Sequence, residues 1–172
     1  MSSPTIDASR TSTDDLPADY AAILAELTAA STRETLAQTV DRLAAAAGTT
    51  AAAFKGRGVA NSPTDPLAWH ETAAMLLHLA AALRGYRLDV EEFSDRDYYS
   101  EDYWKDLMAA GSAAEFAAAF HALKTHFTKE LDGDEEDDKR PSAEDTARRR
   151  FALDRLSEAG AAVVAGWAPA GR

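Results

Sequence analysis

Glu71 and His78 are the residues of this sequence whose types and spacing most invite chemistry. They lie in WHETAAMLLHLAAALRGY, Trp69 to Tyr86, as a carboxylate and an imidazole in an otherwise apolar helical stretch. That pair of groups suits general acid–base catalysis, in which a positioned side chain gives or takes a proton. At about 100° per residue, a seven-residue separation brings them back to within about 20° of each other. The same separation is ~10.5 Å of rise, so they must bracket a ligand or share a water rather than bond directly. On the enzyme reading, Glu71 or His78 is the acid or base of a pocket between helix 3, helix 5 and an aromatic segment, acting on a hydrophobic small molecule. On the plainer reading, His78 is a satisfied histidine at a helix contact. Glu71 is then a first-turn acid favoured by the positive end of the helix dipole.

Metal chemistry finds no donor set. His121 and His126 are five residues apart, roughly 140° around a helix, and cannot both face one ion. Neither copy of the Glu-x-x-His pattern of di-iron bundles is present. His70-Glu71 is followed by Thr, Ala and Ala, so H-E-x-x-H fails as well. The acidic run from Asp132 places Asp137 and Ala143 where a calcium loop needs glycine and glutamate. There is no cysteine, which removes disulfides, thiolate ligands and a Cys nucleophile. The expectation is no metal and no cofactor.

The second constellation is RLDVEEFSDRDYYSEDYWKDL. It holds five of the fourteen aromatics within twelve residues, Phe93, Tyr98, Tyr99, Tyr103 and Trp104, interleaved with Asp95, Asp97, Glu101, Asp102 and Asp106. Aromatic faces flanked by carboxylates suit cation–π contact with an arginine, a lysine or an amine. Tyr and Trp are also good interface anchors. Charge points the same way, because the net −11 sits in two places. Asp89 to Asp106 carries eight acids against two bases, and Glu130 to Arg140 carries seven against two, giving −6 and −5. Such a balance repels a phosphate backbone, so nucleic acid is not an expected partner. The preferred reading is a binding protein that presents Tyr98, Tyr99, Asp102, Tyr103 and Trp104 to a basic protein or a cationic or hydrophobic small molecule. The acid–base enzyme built on Glu71 and His78 is the alternative, and self-association into a homo-oligomer is compatible with either.

These residues need elements to hold them. Of the 172 residues 39 are alanine, the best helix former and a poor strand former. An all-α chain follows, burying area through many close helix contacts rather than a few bulky side chains. Residues 1–13 are Ser/Thr-rich and read as a disordered arm ahead of a single-domain bundle spanning 14–168. Helix 1 starts near Leu16-Pro17. Ser31-Thr-Arg-Glu34 reads as a capping box opening helix 2, with Gly48 as a natural stop and room for a further turn or two over Thr49 to Phe54. The loop 55–66 ends at Asp65, a cap for helix 3, with Pro66 in the first turn.

In helix 3, Trp69, Leu76 and Leu83 form a core stripe with Met75, Leu79 and Tyr86 beside it. Ser100 caps a short helix through Met108. Ser112-Ala-Ala-Glu115 is a second box opening helix 5, and Ser142 opens helix 6 after the acidic loop 132–141. Glu144–Arg148, Asp145–Arg149 and Arg150–Asp154 are spaced as i,i+4 ion pairs. The pattern predicts five or six mostly antiparallel helices. With no apolar h-region near the start and no run of ~20 apolar residues, a cytoplasmic protein is expected.

Overall fold

The computed structural model describes residues 16–60, 62–86, 94–132 and 143–167, with the side chains of 94–101 and 132 left aside. The expected N-terminal arm and most of the acidic loop lie outside these residues. The described residues form six helices: α1 (Ala18–Leu27), α2 (Arg33–Phe54), α3 (Pro66–Leu83), α4 (Ser94–Ala109), α5 (Ala113–Asp132) and α6 (Ala143–Gly166). They pack as one all-helical bundle, and no strand occurs among the described residues.

Local chemistry sets most of the boundaries. Asp65 Oδ1 accepts from the Leu67 N–H at 3.0 Å, and Pro66 occupies the first turn of α3, as the sequence predicts. Ser112 Oγ accepts from Glu115 N at 3.2 Å, while the Glu115 carboxylate reaches back to Gly111 N at 2.7 Å. The box at α2 is shifted by one residue from expectation. Thr32, not Ser31, takes the extended N-cap conformation, and its partner is Thr35: each hydroxyl accepts from the other residue's backbone N–H, at 3.1 and 2.8 Å. Glu34 is thereby released to lie 3.6 Å from Arg84. Gly48 does not end α2. The alanines around it keep six further residues helical, against a cost of about 1 kcal/mol for one glycine. α4 also starts earlier than Ser100, at Ser94.

Ring contacts and caps fix the directions. Tyr20, Trp69 and Phe151 meet in the first halves of α1, α3 and α6, with ring centroids 5.1 and 5.2 Å apart in edge-to-face geometry. α1, α3 and α6 therefore run the same way. At the other end Arg33, the first residue of α2, reaches the last carbonyls of α3, so α2 runs against them. Phe116 at the start of α5 packs on Trp167 just beyond α6, so α5 is antiparallel to α6. α4 and α5 form a hairpin through the turn at Ala110–Ser112. Neighbours in sequence are mostly antiparallel, as expected.

α3 is the central helix and packs against α2, α4 and α6. Trp69, Leu76, Leu79 and Leu83 are buried and Met75 is half-buried, but Tyr86 is 50% exposed. The helix ends at Leu83, and Gly85 turns the chain with a φ of +84°, so Tyr86 leaves the helical register that its spacing implied. α5 and α6 cross closely because Gly160 has no Cβ: one built there would lie 2.3 Å from the Phe120 ring.

Candidate functional site

The acidic–aromatic segment is divided by the helix that carries it. In α4, successive residues point about 100° apart, so Tyr103 and Trp104 cannot share a fate. Trp104 turns inward and is 5% exposed, packed against His78 of α3 at 5.6 Å and Phe127 of α5 at 6.3 Å. Its indole N–H has no hydrogen-bond partner among the described residues. Tyr103 stays half-buried at the rim. Its ring stacks on His126 of α5 with centroids 4.5 Å apart and planes 18° apart. Asp102 and Asp106 flank Tyr103 on the exposed side of α4. Glu130 flanks it on α5, its Oε1 lying 3.2 Å from His126 Nε2. That contact is within ion-pair range but off the line of an N–H···O bond, since His126 Nε2 makes no hydrogen bond. The result is an aromatic stack, Tyr103 on His126, at the α4–α5 rim, with exposed Asp102 and Asp106 on α4 and Glu130 beside His126 on α5. Tyr98 and Tyr99 lie on the α4 backbone, and their side chains fall outside the described residues.

Glu71 and His78 share a helix side but meet different neighbours. His78 is buried at 6% exposure under Trp104. Glu71 lies two turns earlier, in a shallow cleft of about 170 Å³ lined also by Leu67, His70, Asp145, Arg148 and Arg149. The cleft forms where the first turns of α3 and α6 meet. Arg148 anchors it, its Nε 2.9 Å from Asp65 Oδ2 and its NH1 3.6 Å from Asp145. Asp65, 1% exposed, thus caps α3 and ties α6 to it in one stroke, where sequence spacing had paired Arg148 with Glu144. His121 is exposed on α5, away from the His126 stack. Among the described residues, no group of three or more His, Asp or Glu side chains gathers as metal ligands.

Three charged or polar groups matter more than the sequence pattern indicated. Arg33 donates to the carbonyls of Ala82, Leu83, Leu107, Met108 and Ala110, closing the ends of both α3 and α4. Its guanidinium also lies 5.5 Å from the Trp167 ring centroid. Burial pulls its pKa below the ordinary arginine value. Arg155, 1% exposed, lies over the Phe151 ring at 4.7 Å and binds Glu158 through two contacts of 2.5 and 3.2 Å. Tyr20 is fully buried nearby, and its hydroxyl has no partner among the described residues. Of these, only the Arg155–Glu158 pair could have been suspected, from its i,i+3 spacing; the contacts of Arg33 leave no local trace.

No protein-family model, curated protein or solved structure matches the chain. No helix among the described residues is long and apolar enough to cross a membrane. Among the described residues the fold is a bundle of six helices.

Proposed function

We propose that this protein is a binding module whose α4–α5 face receives a positively charged side chain from a basic protein partner. The observation that carries the reading is the Tyr103–His126 stack held at the surface between Asp102, Asp106 and Glu130. A cation laid on the Tyr103 face gains from the ring quadrupole, and the nearby carboxylates add charge-assisted hydrogen bonds. Stacking on His126 fixes the ring in advance, so little rotamer entropy is lost on binding. The −6 of the Asp89–Asp106 stretch draws such a partner in and orients it. Trp104 supports this surface from beneath rather than forming part of it.

The rival acid–base reading draws less support, because Glu71 and His78 lie against different helices. The test uses short arginine-containing helical peptides titrated into the full chain by calorimetry. Tyr103→Ala should weaken binding by about 2 kcal/mol, the scale of an interface anchor. Neutralising several acids between Asp132 and Asp138 should mainly slow association, and only at low salt. Affinity that follows the 132–138 acids and ignores Tyr103 would place recognition elsewhere.

A further inference from the structure

A second surface, remote from the Tyr103–His126 stack, is a groove of about 470 Å³ between α1 and α6. Its walls are apolar: Leu16, Leu24 and Ala25 on one side, Ala161 and Ala165 on the other. Two lining residues are polar, Thr28 and Glu158. The Thr28 hydroxyl already donates to Ala25 O at 2.7 Å. Glu158 is therefore the group that gives the groove its chemical character. Its side chain is 24% exposed, while the arginine it binds is 1% exposed and lines no part of the groove. A ligand in the groove meets the carboxylate first and the guanidinium only behind it. Each carboxylate oxygen has two lone pairs, so pairing with Arg155 leaves acceptor capacity toward the groove. In such a groove the apolar walls supply area and the one polar group fixes orientation.

We propose that the α1–α6 groove binds a small amphiphile carrying one ammonium group, with the ammonium on the Glu158 carboxylate and the apolar body along the alanine walls. An alcohol of the same length would gain the walls without the charge. A carboxylate would meet Glu158 with like charge, and the overall charge of −11 would oppose it further. The order of affinity should therefore be amine, then alcohol, then acid.

The experiment titrates n-octylammonium, n-octanol and n-octanoate into the ¹⁵N-labelled full chain, followed by amide shifts. Octylammonium should bind about tenfold more tightly than octanoate, with shifts centred on Ala21, Ala25, Ala161 and Ala165. Ala161 is exposed, so substitutions there leave the core untouched. Ala161→Phe should fill the groove and abolish all three interactions. Ala161→Lys should weaken octylammonium several-fold while sparing octanol. Glu158→Gln is a poorer probe, because it also removes the carboxylate that pairs with the buried Arg155. Equal affinities for amine and alcohol would reduce the site to an apolar face and overturn the proposal. Shifts centred on Asp102, Asp106 and Glu130 would do the same, by showing that the amine simply follows the acidic α4–α5 face.

Discussion

Arg33 offers the sharpest test of how the bundle is held. Its guanidinium donates to five carbonyls at the ends of two helices: Nε to Leu83 at 2.6 Å, one terminal nitrogen to Ala110, and the other to Ala82, Leu107 and Met108 at 2.9, 3.2 and 2.8 Å. That last nitrogen has two hydrogens for three acceptors, so one of the three is shared. Hydrogen bonds from a charged donor contribute about 1.5–3 kcal/mol each, but carbonyls at helix ends partly rehydrate when the donor is lost. Two negative helix ends left without a cation add about 1–2 kcal/mol more. Arg33→Ala should therefore cost about 3–5 kcal/mol, a large share of the 5–15 kcal/mol typical of a domain. Arg33→Lys keeps the charge but loses the planar fork and should cost about 2 kcal/mol. Urea unfolding followed by circular dichroism gives the free energies. Hydrogen exchange at the α4 amides should rise in both variants, because α4 loses the donor that closes its last turn. An alanine variant within about 1 kcal/mol of wild type, or a lysine variant equal to arginine, would refute the reasoning.

Tyr20→Phe should raise stability at neutral pH by about 1 kcal/mol, since it removes a buried hydroxyl with no partner among the described residues. Burial first, then the Glu158 carboxylate, holds the Tyr20 phenol above its ordinary pKa, with Arg155 opposing. Folded and unfolded chains both keep that proton below pH ~10; above it only the unfolded chain lets go, so stability falls as pH rises, and the Phe variant should lack this share of the slope in urea midpoints taken at pH ~7 and ~10.5. Gly48→Ala should stabilise α2 by about 0.5–1 kcal/mol, because an added Cβ there meets nothing within 4 Å. Gly160→Ala should do the reverse by about 1–3 kcal/mol, because the Phe120 ring fills that space, and thermal melts of the pair should move in opposite directions.

Helix identity was legible because it rests on residues close in sequence. Asp65-Pro66 and Ser112–Glu115 are recognisable starts, and the alanine content rules out a sheet. The errors are local too, and each has a competing local cause. Ser31 and Thr32 are both good caps, and only the answering hydroxyl of Thr35 decides between them. Gly48 is a stop signal where its surroundings are indifferent, and here alanine runs lie before it and, past Thr49 and Thr50, after it. Tyr86 fits the apolar period of α3, but a period extrapolated past Gly85 assumes a helix that has already ended.

The surface was less legible, because what a residue does depends on which helix faces it. Tyr103 and Trp104 read as one aromatic pair in the sequence, yet a 100° turn sends Trp104 inward onto His78 and leaves Tyr103 at the rim on His126. A wheel of α4 alone does not give the split, because Leu107, which is fully buried, lies about 40° from Tyr103 and about 60° from Trp104. It cannot name His126, which comes from α5. Arg33 is harder still: its acceptors lie 49 to 77 residues away, and nothing near it in sequence distinguishes it from a first-turn arginine in water. The helix that bears the proposed recognition face is thus closed at its end by a residue of α2 and propped from below by one of α3. A change at Arg33 or His78, neither of which needs to touch a partner, should loosen α4 and blunt binding at Tyr103 through loss of preorganisation alone.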